Sequence, residues 1–187
     1  MQRFLVLGAT TLLVGLGAHA ADSYSTYRNV RFGYAVLYPS NLVSPRPEAP
    51  NGDGRVFKSG DGHTTLTVWG ENNVFDRSLK TQMNVARRDW GKDKGHITYW
   101  KMGSGFYVLS GTTGQEIFYE KTIPVDGGFA TMLWQYPKSQ KTKFDAAVTR
   151  TTKAFGAGRR VSKARQHSAP KAPRVALDTP NNNVMGY

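Results

Sequence analysis

Cysteine is absent from all 187 residues, and that absence closes several routes at once. No disulfide can staple the fold, no thiolate can serve as a nucleophile, and no cysteine is there to carry a lipid. Stability must come from burying apolar surface. Histidine is scarce, with four in the chain, and acids are outnumbered, 13 against 25 lysines and arginines. Also missing are a Gly-x-Ser-x-Gly elbow, a His-Glu-x-x-His spacing, a glycine-rich phosphate loop and any internal repeat. These gaps remove the usual signatures of serine hydrolases, zinc proteases and nucleotide-binding enzymes. Beyond residue 21 no apolar run nears the roughly 20 residues that a membrane-crossing helix needs.

What is present begins with a leader. Gln2 and Arg3 give a short polar, positive start, and Phe4 to Ala18 form a mostly apolar run of 15 residues. Ala18, His19, Ala20 and Ala21 then place small residues where a signal peptidase cuts. The run is too short and too rich in glycine (Gly8, Gly15, Gly17) for a membrane anchor, so residues 1–21 are read as a signal peptide. The expected location is periplasmic or secreted, with cleavage after residue 20 or 21 and a soluble product. Nucleotide cofactors and nucleic acid are not everyday partners there.

The formal charge of +12 is unevenly spread. Residues 22–156 hold 18 basic and 12 acidic side chains, whereas residues 157–187 hold Arg159, Arg160, Lys163, Arg165, Lys171 and Arg174 against Asp178 alone. A basic exported chain is drawn weakly to anionic lipid, acidic polysaccharide and acidic protein. Candidate electrostatic contacts are Lys80, Arg87 and Arg88 on a helix, with Arg159, Arg160, Lys163 and Arg165 in the tail.

Periodicity sets out one domain over residues 22–156. Phe32 to Tyr38 reads as a strand ended by Pro39. Residues 44–54, with three prolines and two glycines, read as a loop. Arg55–Lys58 and Thr64–Gly70 flank an Asp-Gly turn and read as a hairpin. Leu79, Met83, Ala86 and Trp90 fall on one face of a helix over 78–90, capped by Asp76 or Ser78. Four β-prone runs follow at 96–102, 106–111, 115–125 and 129–136, joined by glycine turns as an antiparallel meander. A second helix over 139–155 puts Phe144, Ala147, Val148, Thr151 and Phe155 on one face. Several strands are apolar on both sides, so both faces of the sheet should be covered. The fold class is α+β, an antiparallel sheet sandwiched between α-helices. After Gly156 the apolar period stops, and 157–187 read as a disordered basic tail.

The order of these pieces is similar to a known type. Tyr27–Tyr34 leads through an aromatic-Gly-aromatic strand to Tyr38-Pro39. Asn51–Gly54 precedes Phe57–Gly62, and Tyr107–Gly111, Ile117–Lys121 and Tyr136-Pro137 come before the terminal helix. Together they resemble exported bacterial proteins of the Mog1/PsbP-like type over residues 24–156. The resemblance implies an antiparallel sheet between helices and a non-enzymatic binding or assembly role. It carries no catalytic signature, and no functional residue is transferred from it.

Chemistry has few candidates. His19 leaves with the leader and His167 sits in the tail, so a hydrolase would have to use His63, at a hairpin shoulder, or His96, at a strand start. Asn51, Asp53, Asp61 and His63 lie in two Asp-Gly turns that a hairpin could bring together around calcium, although Asp-Gly is also ordinary turn chemistry. Glu116 and Glu120 share one face of a strand, as a carboxylate pair or as a solvated edge. Among the four tryptophans Trp100, beside Tyr99, is the one least suited to a core. The expected function is a non-enzymatic exported module that contacts another envelope protein, with no cofactor and no metal. The alternative is a polyanion or cell-wall binder using the basic helix face and tail.

Overall fold

The computed structural model describes residues 23–158, which form two antiparallel sheets and two helices. The leader and the tail arginines and lysine (Arg159, Arg160, Lys163, Arg165) lie outside the described residues. A small sheet of order β1-β2-β10 is built from β1 (Tyr24–Asn29), β2 (Tyr34–Pro39) and β10 (Gly156–Ala157). The large sheet has seven strands in the order β3-β4-β5-β9-β8-β7-β6. Its strands are β3 (Ser44–Glu48), β4 (Gly54–Lys58), β5 (Thr65–Asn72), β6 (His96–Gly103), β7 (Phe106–Thr113), β8 (Glu116–Val125) and β9 (Gly128–Pro137). Helix α1 (Leu79–Lys92) follows β5, and α2 (Lys141–Ala154) follows β9.

The meander expected from the glycine turns is present, β6 to β9 pairing in sequence before β9 returns to β5. Both sheet faces are covered, as two-sided strands require. Along β9, Ala130, Met132, Trp134 and Tyr136 join Leu66, Val68 and Ile123 in one core under α2 and the small sheet, where Phe144 and Val148 of α2 also sit. Leu133 faces the other way, toward Phe118, Tyr107 and Leu109, and this second core is closed by Met83, Ala86 and Trp90 of α1. Ser78 caps α1 by accepting a hydrogen bond from the Thr81 N–H at 3.1 Å.

Three expectations needed correction. The segment 44–54 is not all loop: Ser44–Glu48 pair with β4 as a fully exposed edge strand. Proline is tolerated there because an edge strand leaves one side unpaired, so a missing N–H need not break the ladder. One antiparallel sheet was expected, and β1 and β2 form a second, small one with β10. Phe32 and Gly33, expected within a strand, form the turn between β1 and β2, with Gly33 at φ +65°. That turn has a job. Phe32 is buried directly over Gly70 of β5, where a Cβ would come within 2.2 Å of its ring. Only glycine lets the small sheet dock this closely. Buried Asn29 holds the same corner, donating to the Gly52 carbonyl at 2.9 Å and accepting from the Phe32 N–H at 2.9 Å.

The chain stays tied to β2 past residue 156. Ala157 pairs with Tyr34, and the Gly158 N–H donates to the Gly33 carbonyl at 2.7 Å. Among the described residues no helix is long and apolar enough to cross a membrane.

Candidate functional site: the aromatic and cationic edge beside α1

The two exposed rings of the sheet stand on β6, the strand that ends the large sheet. Tyr99 and Trp100 are 49% and 52% exposed, while the buried aromatic residues fill the cores. Trp100 pairs with Leu109, so it faces the α1 side, and Tyr99, paired with Ser110, faces the opposite side. The Arg87 guanidinium lies over the Trp100 ring, 5.4 Å from its centroid. Arg88 is exposed beside it, and the two arginines line a surface hollow of about 400 Å³ with Asn84 and Ile97. The helical period explains this grouping: Lys80, Asn84 and Arg87 follow at i, i+4 and i+7 along one flank of α1, beside the buried Met83 stripe. Of the helix cations singled out by sequence, Arg87 and Arg88 are brought together at β6, and exposed Lys80 lies nearer the helix start.

Beneath α1 is a cleft of about 450 Å³ that holds buried acid. Glu120 is only 6% exposed. Its carboxylate accepts from Trp90 Nε1 at 2.8 Å and from the Tyr107 hydroxyl at 3.0 Å. Burial pushes its pKa above the ordinary carboxylate value, against the opposing pull of those two donors. Glu71, half-buried, is also raised by burial, with Arg77 acting the other way, and it accepts from Gln82 Nε2 at 2.7 Å. Trp90 stacks on Phe118 with centroids 3.7 Å apart. This corrects the reading of Glu120 as one of a solvated pair. Glu116 is exposed, and four residues along one strand separate the two by about 13 Å, beyond the roughly 5–9.5 Å of glycosidase pairs. Even strand spacing was the signal available in the sequence. What it lacked was the partner donors, Trp90 and Tyr107.

The remaining candidates come apart. His63 and His96 are both exposed and flank β5 and β6, four strand spacings or about 19 Å apart across the sheet. The two Asp-Gly turns sit at opposite ends of β4, about 17 Å apart, so the hairpin does not join them around an ion. Asp61 is used within its own turn, accepting from the His63 N–H at 3.0 Å and from Gln140 Nε2 at 2.8 Å. With Ser59 these donors hold its carboxyl well below the usual range. Asp53 accepts from Asn51 Nδ2 at 2.6 Å. Among the described residues no group of three or more His, Asp or Glu side chains is placed to hold a metal.

A larger surface hollow, about 710 Å³, lies on the other side, between α2 and β2. Two of its three charged side chains are already engaged: Asp145 pairs with Lys141 and accepts from Tyr136, and Arg150 stacks on Tyr24 with 4.0 Å to the centroid. Its other lining side chains are mainly short. Size alone does not make it the better candidate.

Comparison with known proteins adds the fold. No protein-family model matches the chain, and no curated protein does. Among solved structures, the solution structure of cyanobacterial PsbP (CyanoP) from Synechocystis sp. PCC 6803 superimposes with a TM-score of 0.59 at 15% identity, covering 78% of this chain and 98% of that one. A superposition that spans most of both chains gives this chain a PsbP-like fold, with its antiparallel sheets closed by two helices.

Proposed function

We propose that the protein is a non-enzymatic binding or assembly module of the bacterial envelope, delivered to the periplasm or secreted through the leader at 1–21, and that it works by contacting another envelope protein. The observation that carries this reading is the pair of half-exposed rings on β6 with Arg87 laid over Trp100. Tryptophan, tyrosine and arginine are the residues that most often anchor protein interfaces. Contact is favoured over turnover because the two histidines stand far apart and Glu120 is consumed by an indole and a phenol. In this reading the folded unit is the domain over 22–156, and the basic tail over 157–187 adds non-specific attachment to anionic surfaces.

A second reading, a polyanion or cell-wall binder, is favoured by the hollow that Arg87 and Arg88 line. Salt separates the two. Mature protein immobilised through its N-terminus is incubated with envelope extract at about 0.1 M and 1 M salt, where the screening length falls from about 10 Å to 3 Å. A discrete protein retained at both concentrations supports the first reading. Capture of acidic polymer alone, lost at high salt, contradicts it. Replacing His63 and His96 together should leave capture intact.

A further inference from the structure

The two ends of the large sheet are built differently. At one end β3 carries Pro45 and Pro47, which remove donors and deter another strand from adding. At the other end β6 has no proline. Its ladder with β7 is regular from Tyr99 to Gly103, with a register shift only between Ile97 and Tyr99. The Gly103–Phe106 pair closes a two-residue turn, which makes it a hydrogen-bonded pair. In an antiparallel ladder such pairs alternate with open ones. Lys101–Val108 is therefore bonded, and the N–H and C=O groups of Trp100 and Met102 point away from β7, along the free edge.

The surroundings of that edge select by charge. From Arg87 to Lys101 the chain holds five lysines and arginines against Asp89 and Asp93. Asp89 is paired with Lys92 at 2.9 Å. Arg87 and Arg88 overlook the edge from the α1 side. Lys101 is exposed on the opposite face with Tyr99, because Val108 and Ser110 are their partners on β7.

We propose that β6 accepts an acidic, extended segment of a partner protein as an eighth strand of the large sheet. Backbone pairing at Trp100 and Met102 supplies the register. Trp100 and Tyr99 cover the added strand from opposite faces; Arg87 and Arg88 favour carboxylates at the alternate positions that face α1, and Lys101 a carboxylate on the other face. An acidic polysaccharide meets the same cations but has no backbone to pair with Trp100 and Met102, so the open ladder favours a peptide. The register shift near Thr98 and the lysine limit indiscriminate pairing between copies of the chain. This proposal rests on the reading of the protein as a contact module and names the chemistry of its partner.

The test uses the mature full chain and three probes: a ten-residue peptide alternating glutamate with valine, the same peptide with lysine for glutamate, and polygalacturonate. Amide hydrogen exchange is followed by NMR. The acidic peptide should slow exchange at Trp100 and Met102, and the lysine peptide should not. Trp100→Ala should weaken acidic-peptide binding, and Trp100→Pro, which also removes the outward N–H, should weaken it a further fivefold or so. Equal binding by the two Trp100 variants, or protection by polygalacturonate equal to that by the peptide, would overturn strand addition. Failure of all peptides while a discrete envelope protein is still captured at high salt would reject this proposal and leave the contact-module reading standing.

Discussion

The two faces of the large sheet are covered by helices of the same length, 14 residues each, yet they are held by different means. Under α2 the contact is dry and aromatic: Trp134, Phe144 and Tyr34 are almost fully buried, and the small sheet adds Tyr27, Phe32 and Val36. Lys121 fastens the end of α2, donating to the Thr152 and Phe155 carbonyls at 2.8 and 2.9 Å. Under α1 the buried cluster is small, with Met83, Tyr107, Leu109 and Phe118, and it shares its space with Glu71, Glu120 and Gln82. One face holds the fold together. The other carries exposed Trp100 with Arg87 and Arg88, and is closed by a smaller, partly polar contact.

The comparison can be broken most severely from the α2 side. Phe144→Ala should cost about 3–5 kcal/mol in denaturant unfolding, because a fully buried ring is lost from a dense core. Met83→Ala, in the smaller α1 cluster, should cost nearer 2 kcal/mol. A larger loss for Met83 than for Phe144 would reverse the assignment of the two faces. Comparable to Met83→Ala is Gly70→Ala, which must displace Phe32 and should destabilise by about 1–3 kcal/mol. Phe32→Ala in the same background should show strong non-additivity, since one contact is removed by both changes.

Acid sharpens the contrast. Burial raises the carboxyl pKa of both Glu120 and Glu71 in the folded state above the ordinary value. An acid shifted this way costs nothing below its unfolded pKa, near 4.3, and lowers stability as pH rises from there through the folded pKa. Glu120→Gln should therefore gain in Tm relative to the native chain as pH is raised from about 4 to 7. A difference in Tm that stays constant over that range would mean the fold does not raise the Glu120 pKa. The smallest effects belong to the exposed cations: Lys80→Ala and Arg88→Ala should each change stability by less than about 0.5 kcal/mol.

Much of this organisation was legible in the chain. The helix faces, the meander and the double-sided burial all follow from local periods of 3.6 and 2, which a sequence states directly, and the α1 cap is narrowed to Asp76 or Ser78. Trp100 stood out because it sits beside Tyr99 on a strand whose neighbours already fill both cores. Other features depended on distant residues. The pairing of Ser44–Glu48 hinges on β4 offering a free edge, and two prolines hid it. The small sheet forms because Phe32 finds Gly70, 38 positions away in the sequence. Glu120 is buried because Trp90 and Tyr107 meet over it, and neither lies near it in sequence.

Two surfaces compete for the partner, the free edge of β6 and the α2 hollow. A photo-crosslinking side chain placed at Tyr99, and separately at Thr149 beside the α2 hollow, can be activated in intact cells expressing the full chain. Adducts with a discrete envelope protein from position 99, and none from position 149, are the predicted result. Adducts from position 149 alone would contradict it and move the working surface from the β6 edge to the α2 hollow.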